Sequence, residues 1–194
     1  MKKGFTLIEL LIVIGILAVL STAVIVVLNP AQLLAQARDT QRIDSLSSLR
    51  SALSLYLTTV KTPDMDGPMA TAPGVSGCGF NWGSSVIGAT KYVAAAAVAE
   101  SQGGVRTVDG LGWVLVNFNS IPTGSPLSVL PTDPTNDATN NFQYSCDNTN
   151  KTFELDAKME STRYKNLGAD DVESKDGGTD PNVYEVGTAP GLGL

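Results

Sequence analysis

The residue best placed to do chemistry is a lone carboxylate in an apolar setting. Glu9 is the one charge in the 24-residue run from Phe5 to Leu28. A carboxylate at mid-bilayer costs about 2.5–3.5 kcal/mol on insertion scales, and less near the interface. Glu9 is therefore either a tolerated interfacial acid or the partner of a cation on a neighbouring chain. A second candidate is a loop in which Asp170, Asp171, Glu173, Asp176 and Asp180 fall within eleven residues, around Gly177-Gly178. Calcium takes roughly six to eight oxygens from carboxylates and carbonyls on such turns. The spacing is not that of an EF-hand, and the plain alternative is a solvated acidic loop. Cys78 and Cys146 are the only cysteines, and histidine is absent. That removes His-dependent triads, His-ligated zinc and haem, and four-cysteine metal sites. The net charge of −6 and pI of about 4.5 argue against a nucleic-acid partner.

The elements that carry these residues follow from the pattern. As a helix, 5–28 would span roughly 36 Å, against about 30 Å for a bilayer core. Lys2 and Lys3 precede it, which puts the N-terminus in the cytoplasm and the remainder outside. The run is too long for a secretory signal, and no A-x-A site closes it. Gly15 lies inside it and would allow close helix approach, or be neutral. Pro30 ends or kinks the helix. Beyond it, Ile43, Leu46, Leu49, Leu53, Tyr56 or Leu57, and Val60 recur at steps of three and four. Arg38, Asp39, Arg42, Asp44 and Arg50 are expected on other faces. This predicts one spine helix from about Thr6 to Val60, kinked at Pro30.

Residues 61–194 are expected to form a globular head. Lys61–Gly79 reads as a loop, and Val86–Gln102 as a short helix ended by Gly103-Gly104. Leu111–Phe118 is a strand candidate. Phe142, Tyr144 and Cys146, a turn at Asp147–Asn150, then Phe153, Leu155, Ala157 and Met159 form an alternating hairpin. Its other face, with Glu154, Asp156, Lys158 and Glu160, is expected to be wet. Val183–Val186 is a short last strand, and Gly187–Leu194 a loose tail. The fold class is α+β, a long spine helix across a small antiparallel sheet.

The segment Met1-Lys2-Lys3-Gly4-Phe5-Thr6-Leu7-Ile8-Glu9-Leu10 resembles the prepilin leader of type IV pilins and type II secretion pseudopilins. The resemblance implies a leader at 1–4, a membrane and filament-core helix at 5–28, a second spine half at 29–60 and a head at 61–194. It implies cleavage between Gly4 and Phe5 by a prepilin peptidase/methyltransferase, N-methylation of Phe5, and retention of Glu9. Loss of Lys2 and Lys3 leaves 13 − 2 = 11 basic against 19 acidic residues, a charge of −8. Glu9 can then pair with the Phe5 amine of the next subunit and favour one axial register. Leu130-Pro131-Thr132-Asp133-Pro134 before an aromatic strand, and Leu167-Gly168-Ala169-Asp170, resemble the heads of major pseudopilins. The second stretch implies a calcium loop with Leu167, Asp170, Asp171, Asp176 and Asp180 as candidate ligands.

With both cysteines outside, a Cys78–Cys146 disulfide is expected, closing a loop of 68 residues. Two free buried thiols are the alternative. The function expected is structural, not enzymatic: a single-pass precursor that leaves membrane lipid for an extracellular or periplasmic filament. Its partners would be copies of itself and related pilins, an inner-membrane assembly platform and its ATPase. The alternative is a minor tip pilin whose head binds DNA, a surface or a secreted protein.

Overall fold

A computed structural model describes residues 4–67, 81–86, 99–101 and 104–188. The fold is α+β. Helix α1 spans Leu7–Leu28 and helix α2 spans Pro30–Thr59. They meet at Asn29, whose left-handed backbone (φ 42°, ψ 75°) ends the first helix. Asn29 is among the few residue types that enter this region readily. Pro30 follows at the first helical position, where its missing N–H and fixed φ do no harm. The Asn29 carbonyl accepts the N–H groups of Gln32 and Leu33, which starts α2. The expected kinked spine is therefore two helices with one residue between them.

The face of α2 that meets the head carries Ala35, Asp39, Arg42, Leu46, Leu49, Leu53 and Tyr56. These positions alternate steps of four and three, the period of a narrow helical seam. The apolar half of that seam was legible. Its N-terminal half corrects the sequence reading, since Asp39 and Arg42 are fully buried and lie on the packing face.

The sheet contains β1 (Asn81–Ser84), β2 (Ala99–Ser101), β3 (Gln143–Asp147), β4 (Thr152–Ala157) and β5 (Tyr184–Gly187), in the order β2-β1-β3-β4-β5. Four strands pair antiparallel, while β2 runs parallel to β1 at one edge. The hairpin sits where its alternation places it, with Tyr144 opposite Leu155 and Cys146 opposite Phe153. Asp147 closes its turn by accepting the N–H groups of Thr149 and Asn150, at 2.8 and 3.0 Å. Tyr144, Cys146, Phe153, Leu155 and Ala157 join the α2 seam in one core.

Two other expectations change. Leu111–Phe118 is not a strand. Trp113 to Val116 are buried throughout, but the segment makes only scattered backbone bonds, Trp113 N–H to Val105 O and Phe118 N–H to Val108 O. A continuous apolar run without alternation does not by itself specify a ladder. Most of the helix expected at 86–102 lies outside the described residues, and its end at Ala99–Ser101 is strand β2. Cys78 and the end of the tail, 189–194, also lie outside them. Glu154, Asp156 and Glu185 are buried rather than wet, so the second face of the sheet is not a solvated one.

Candidate assembly site

The N-terminus is organised by a capping box. Gly4 and Phe5 precede the helix, and the Phe5 side chain is 87% exposed. Thr6 is the N-cap, in extended backbone. Its hydroxyl accepts the Glu9 N–H at 3.3 Å. The Glu9 carboxylate in turn accepts the Thr6 N–H and hydroxyl, each at 2.8 Å. Two orphan donors of the helix end are satisfied reciprocally, and an acid stands at the positive end of the helix dipole. The signal was in the sequence: Thr6-Leu7-Ile8-Glu9 is the S/T-x-x-E pattern just before an apolar run. Both contacts of the carboxylate use Oε2, so Oε1 has no partner among the described residues and is open to a second one.

Helix α1 is apolar on every side in sequence, and its described side chains face outward. Ile8, Leu11, Ile12, Ile16, Leu17, Leu20 and Ile25 are all largely exposed. A helix apolar all round is normally buried in a large core or in lipid. Its two hydroxyls return to its own backbone, Ser21 to Leu17 O and Thr22 to Val19 O, both at 2.7 Å. Neither is left to be satisfied by water. At Gly15 the surface dips, between Leu11, Ile12, Ile16, Val19 and Leu20, and nothing stands within 4 Å of a Cβ placed there. Among the described residues no helix is long and apolar enough to cross a membrane. Side chains at 23, 26 and 27 are outside the description, so the continuous described stretch ends at Thr22.

Helix α2 is fixed to the head by a buried ion cluster. Arg42 donates Nε to Asp133 Oδ2 at 2.6 Å and Nη2 to Asp133 Oδ1 at 2.8 Å, a bidentate fork. Its Nη1 reaches Asp39 Oδ1 at 2.8 Å, and Nη2 also contacts Glu160. Asp39 accepts the backbone N–H groups of Glu160 and Ser161, both at 2.8 Å. Arg38 closes the outer side on Glu160. The hydrogen bond from Arg38, helped by Thr135 and Arg42, holds the Glu160 carboxyl down at about 2. The Leu-Pro-Thr-Asp-Pro segment thus has a mechanical use: it delivers Asp133 to the spine. Sequence reading missed Asp39, Arg42, Asp133 and Glu160 as one group. The available signal was the 35-39-42-46 extension of the seam.

The acids expected to hold calcium serve separate turns. Asp170 pairs with Arg163 at 2.5 Å on the surface. Asp171 accepts the Leu167 N–H at 3.0 Å and the N–H and hydroxyl of Ser174. Asp176 accepts the N–H groups of Gly178 and Glu185, and Asp180 that of Asn182. Leu167 is 93% exposed. Their oxygens do not converge as a ligand shell would require. Among the described residues, the three carboxylates that do converge are Glu154, Asp156 and Glu185, whose oxygens lie within 4.8 Å of one another. Cys146 is buried within the core, and Cys78 lies outside the described residues.

A family model for the prokaryotic N-terminal methylation motif matches residues 1–25. The matched span holds Gly4, Phe5, the capping box and most of α1. It is the signature of type IV pilins and pseudopilins, made as membrane-anchored precursors, processed by a prepilin peptidase and assembled into filaments. That class is structural and generally not enzymatic. No curated protein and no solved structure matches the chain.

Proposed function

We propose that this chain is a structural subunit of a type IV pilus or a type II secretion pseudopilus, assembled through α1 with its head outward. The observation that carries this reading is the contrast along the spine. Helix α1 has no partner among the described residues and is apolar on all sides, while α2 is locked into a finished core. Each apolar side chain buried on assembly contributes about 1.5–3 kcal/mol, so a helix of this composition is driven strongly into lipid or a helical stack. Before assembly the apolar segment 5–28 holds the precursor in the membrane, with its N-terminus in the cytoplasm and the head outside.

Cleavage falls between Gly4 and Phe5, and the new Phe5 amine is methylated. Both residues precede the first helical turn, in non-helical backbone that a protease can engage. Glu9 then stands one turn from that amine. Its open oxygen pairs with the Phe5 amine of the adjoining subunit while Oε2 keeps its cap. Cys78 and Cys146 form the disulfide, which ties the segment after α2 to β3.

The test is intact and N-terminal peptide mass of the protein from sheared cell surfaces, measured without reductant. The expected product starts at Phe5, carries one methyl group and lacks two hydrogens. A chain still beginning at Met1 and confined to the membrane would overturn the filament reading.

A further inference from the structure

The second face of the sheet presents a feature that filament assembly does not use. Glu154 and Asp156 alternate with Phe153, Leu155 and Ala157 on β4, so they point away from the α2 core. Asp156 pairs in register with Glu185 on β5, and Glu154 with Ser145 on β3. All four residues are at most 1% exposed. Three carboxylates whose oxygens converge within 4.8 Å are mutually repulsive when ionised and buried. Directly opposite Glu154, the Ser145 hydroxyl is buried and makes no hydrogen bond. A buried hydroxyl without a partner is an uncommon expense in a folded protein, and points to a missing ligand.

We propose that these four side chains form a site for a divalent cation of the calcium class, ligated by Glu154, Asp156, Glu185 and the Ser145 hydroxyl. The donor set is all oxygen, which suits a hard cation and excludes the thiolate and imidazole preferences of zinc and copper. A dication offsets most of the charge of three carboxylates and gives Ser145 its partner. The 176–180 loop then acts as a strap rather than a ligand shell. Asp180 N–H donates to Glu185 Oε2 at 2.8 Å, and Asp176 accepts the Glu185 N–H at 2.6 Å, which orients Glu185 from outside. Only glycine fits at position 178, where a Cβ would lie 2.0 Å from Glu185 Oε2. Burial, with Glu154 and Asp176 nearby, pushes the Glu185 carboxyl up. A bound cation would reverse that shift.

The experiment uses the full chain in detergent micelles, stripped with EDTA and titrated with calcium by calorimetry. Wild type is expected to take up one ion per chain. Glu154→Gln with Glu185→Gln, which keep side-chain shape, should weaken uptake about tenfold or more. Asp170→Asn with Asp171→Asn, outside the 176–180 strap, should leave it unchanged. Ser145→Ala is the gentler variant should the double substitution fail to fold, and is expected to weaken uptake severalfold while near-UV circular dichroism stays native. Absence of uptake by wild type overturns the proposal. So does uptake that survives the Glu154 and Glu185 changes, or uptake that is lost with the loop pair or kept in full by Ser145→Ala.

Discussion

The two halves of the spine are neighbours in sequence and opposites in what stabilises them. Helix α2 has a polar average composition but an ordered seam, and its stability comes from the head it packs on. Helix α1 has no polar face and no packed partner among the described residues, so its hydrogen-bond ladder and its cap are what the chain itself supplies. The contrast teaches that a single helical spine can be divided by one left-handed residue. One side is completed by the fold, and the other keeps its apolar surface exposed, which the proposed function assigns to assembly. A mutation should therefore report on folding if it falls in 35–56 and on assembly if it falls in 5–25.

The strongest way to break the contrast is to attack the ion cluster. Arg42→Ala leaves Asp39 and Asp133 buried without their cation, a loss that costs about 3–5 kcal/mol in buried pairs. Urea unfolding of the full chain in micelles, followed by the fluorescence of buried Trp113, should show that loss. Ile16→Ala on α1 should leave the same unfolding curve unmoved, yet lower filament yield. A destabilised head in Ile16→Ala would mean that the two halves are not separate. Next in size is the apolar seam. Leu49→Ala removes a fully buried side chain facing the core and should cost about 2–5 kcal/mol in the same assay.

Acid titration sharpens the comparison within the head. The Glu160 carboxyl is depressed to about 2, from an ordinary value of 4.5, first by its hydrogen bond from Arg38. Its contribution is fully present above about pH 4.5 and is lost as pH falls toward 2. Glu173, Asp176 and Glu185 are shifted the other way, each mainly by burial. Their contribution is present below the ordinary carboxylate values and is lost as pH rises through their raised ones. Metal-free protein should therefore gain stability between neutrality and about pH 5, then lose it below pH 4 as the Arg38–Glu160 contact fails. Glu160→Gln should flatten the acid limb and leave the neutral limb in place. Thermal melts across pH in EDTA decide this.

How much of this was legible depends on what each pattern assumes. The methylation motif and the hairpin were readable because Gly4-Phe5-Thr6 and the Phe142–Ala157 alternation are local signals. The seam was readable from Leu46 to Tyr56 and no earlier. Arg42 and Asp39 hold core positions, and a search for apolar periodicity passes over buried ions. The same assumption hid the sheet cluster: alternation assigns Glu154 and Asp156 to one face correctly, but cannot say whether that face is wet. Burial is a tertiary property that a local alternation does not carry. Leu111–Phe118 failed for another reason, since four consecutive buried residues, Trp113 to Val116, leave no period to read.

The smallest expected effect concerns the cap, and it separates two jobs of Glu9. Thr6→Val removes the hydroxyl that accepts the Glu9 N–H and donates to its carboxylate, a loss of about 1 kcal/mol in helix stability. In micelles this should appear as slight fraying of the first turn by amide exchange. Glu9→Val removes the same cap and, in addition, the acid proposed to meet the neighbouring Phe5 amine. Thr6→Val should therefore assemble at close to the wild-type yield, and Glu9→Val should insert in the membrane yet assemble poorly. Equal failure of the two variants would assign Glu9 to the capping of its own helix, because Thr6→Val leaves the carboxylate available to a neighbour. Filament yield, compared at matched membrane levels of each variant, is the readout that distinguishes an intrachain cap from an intersubunit pair.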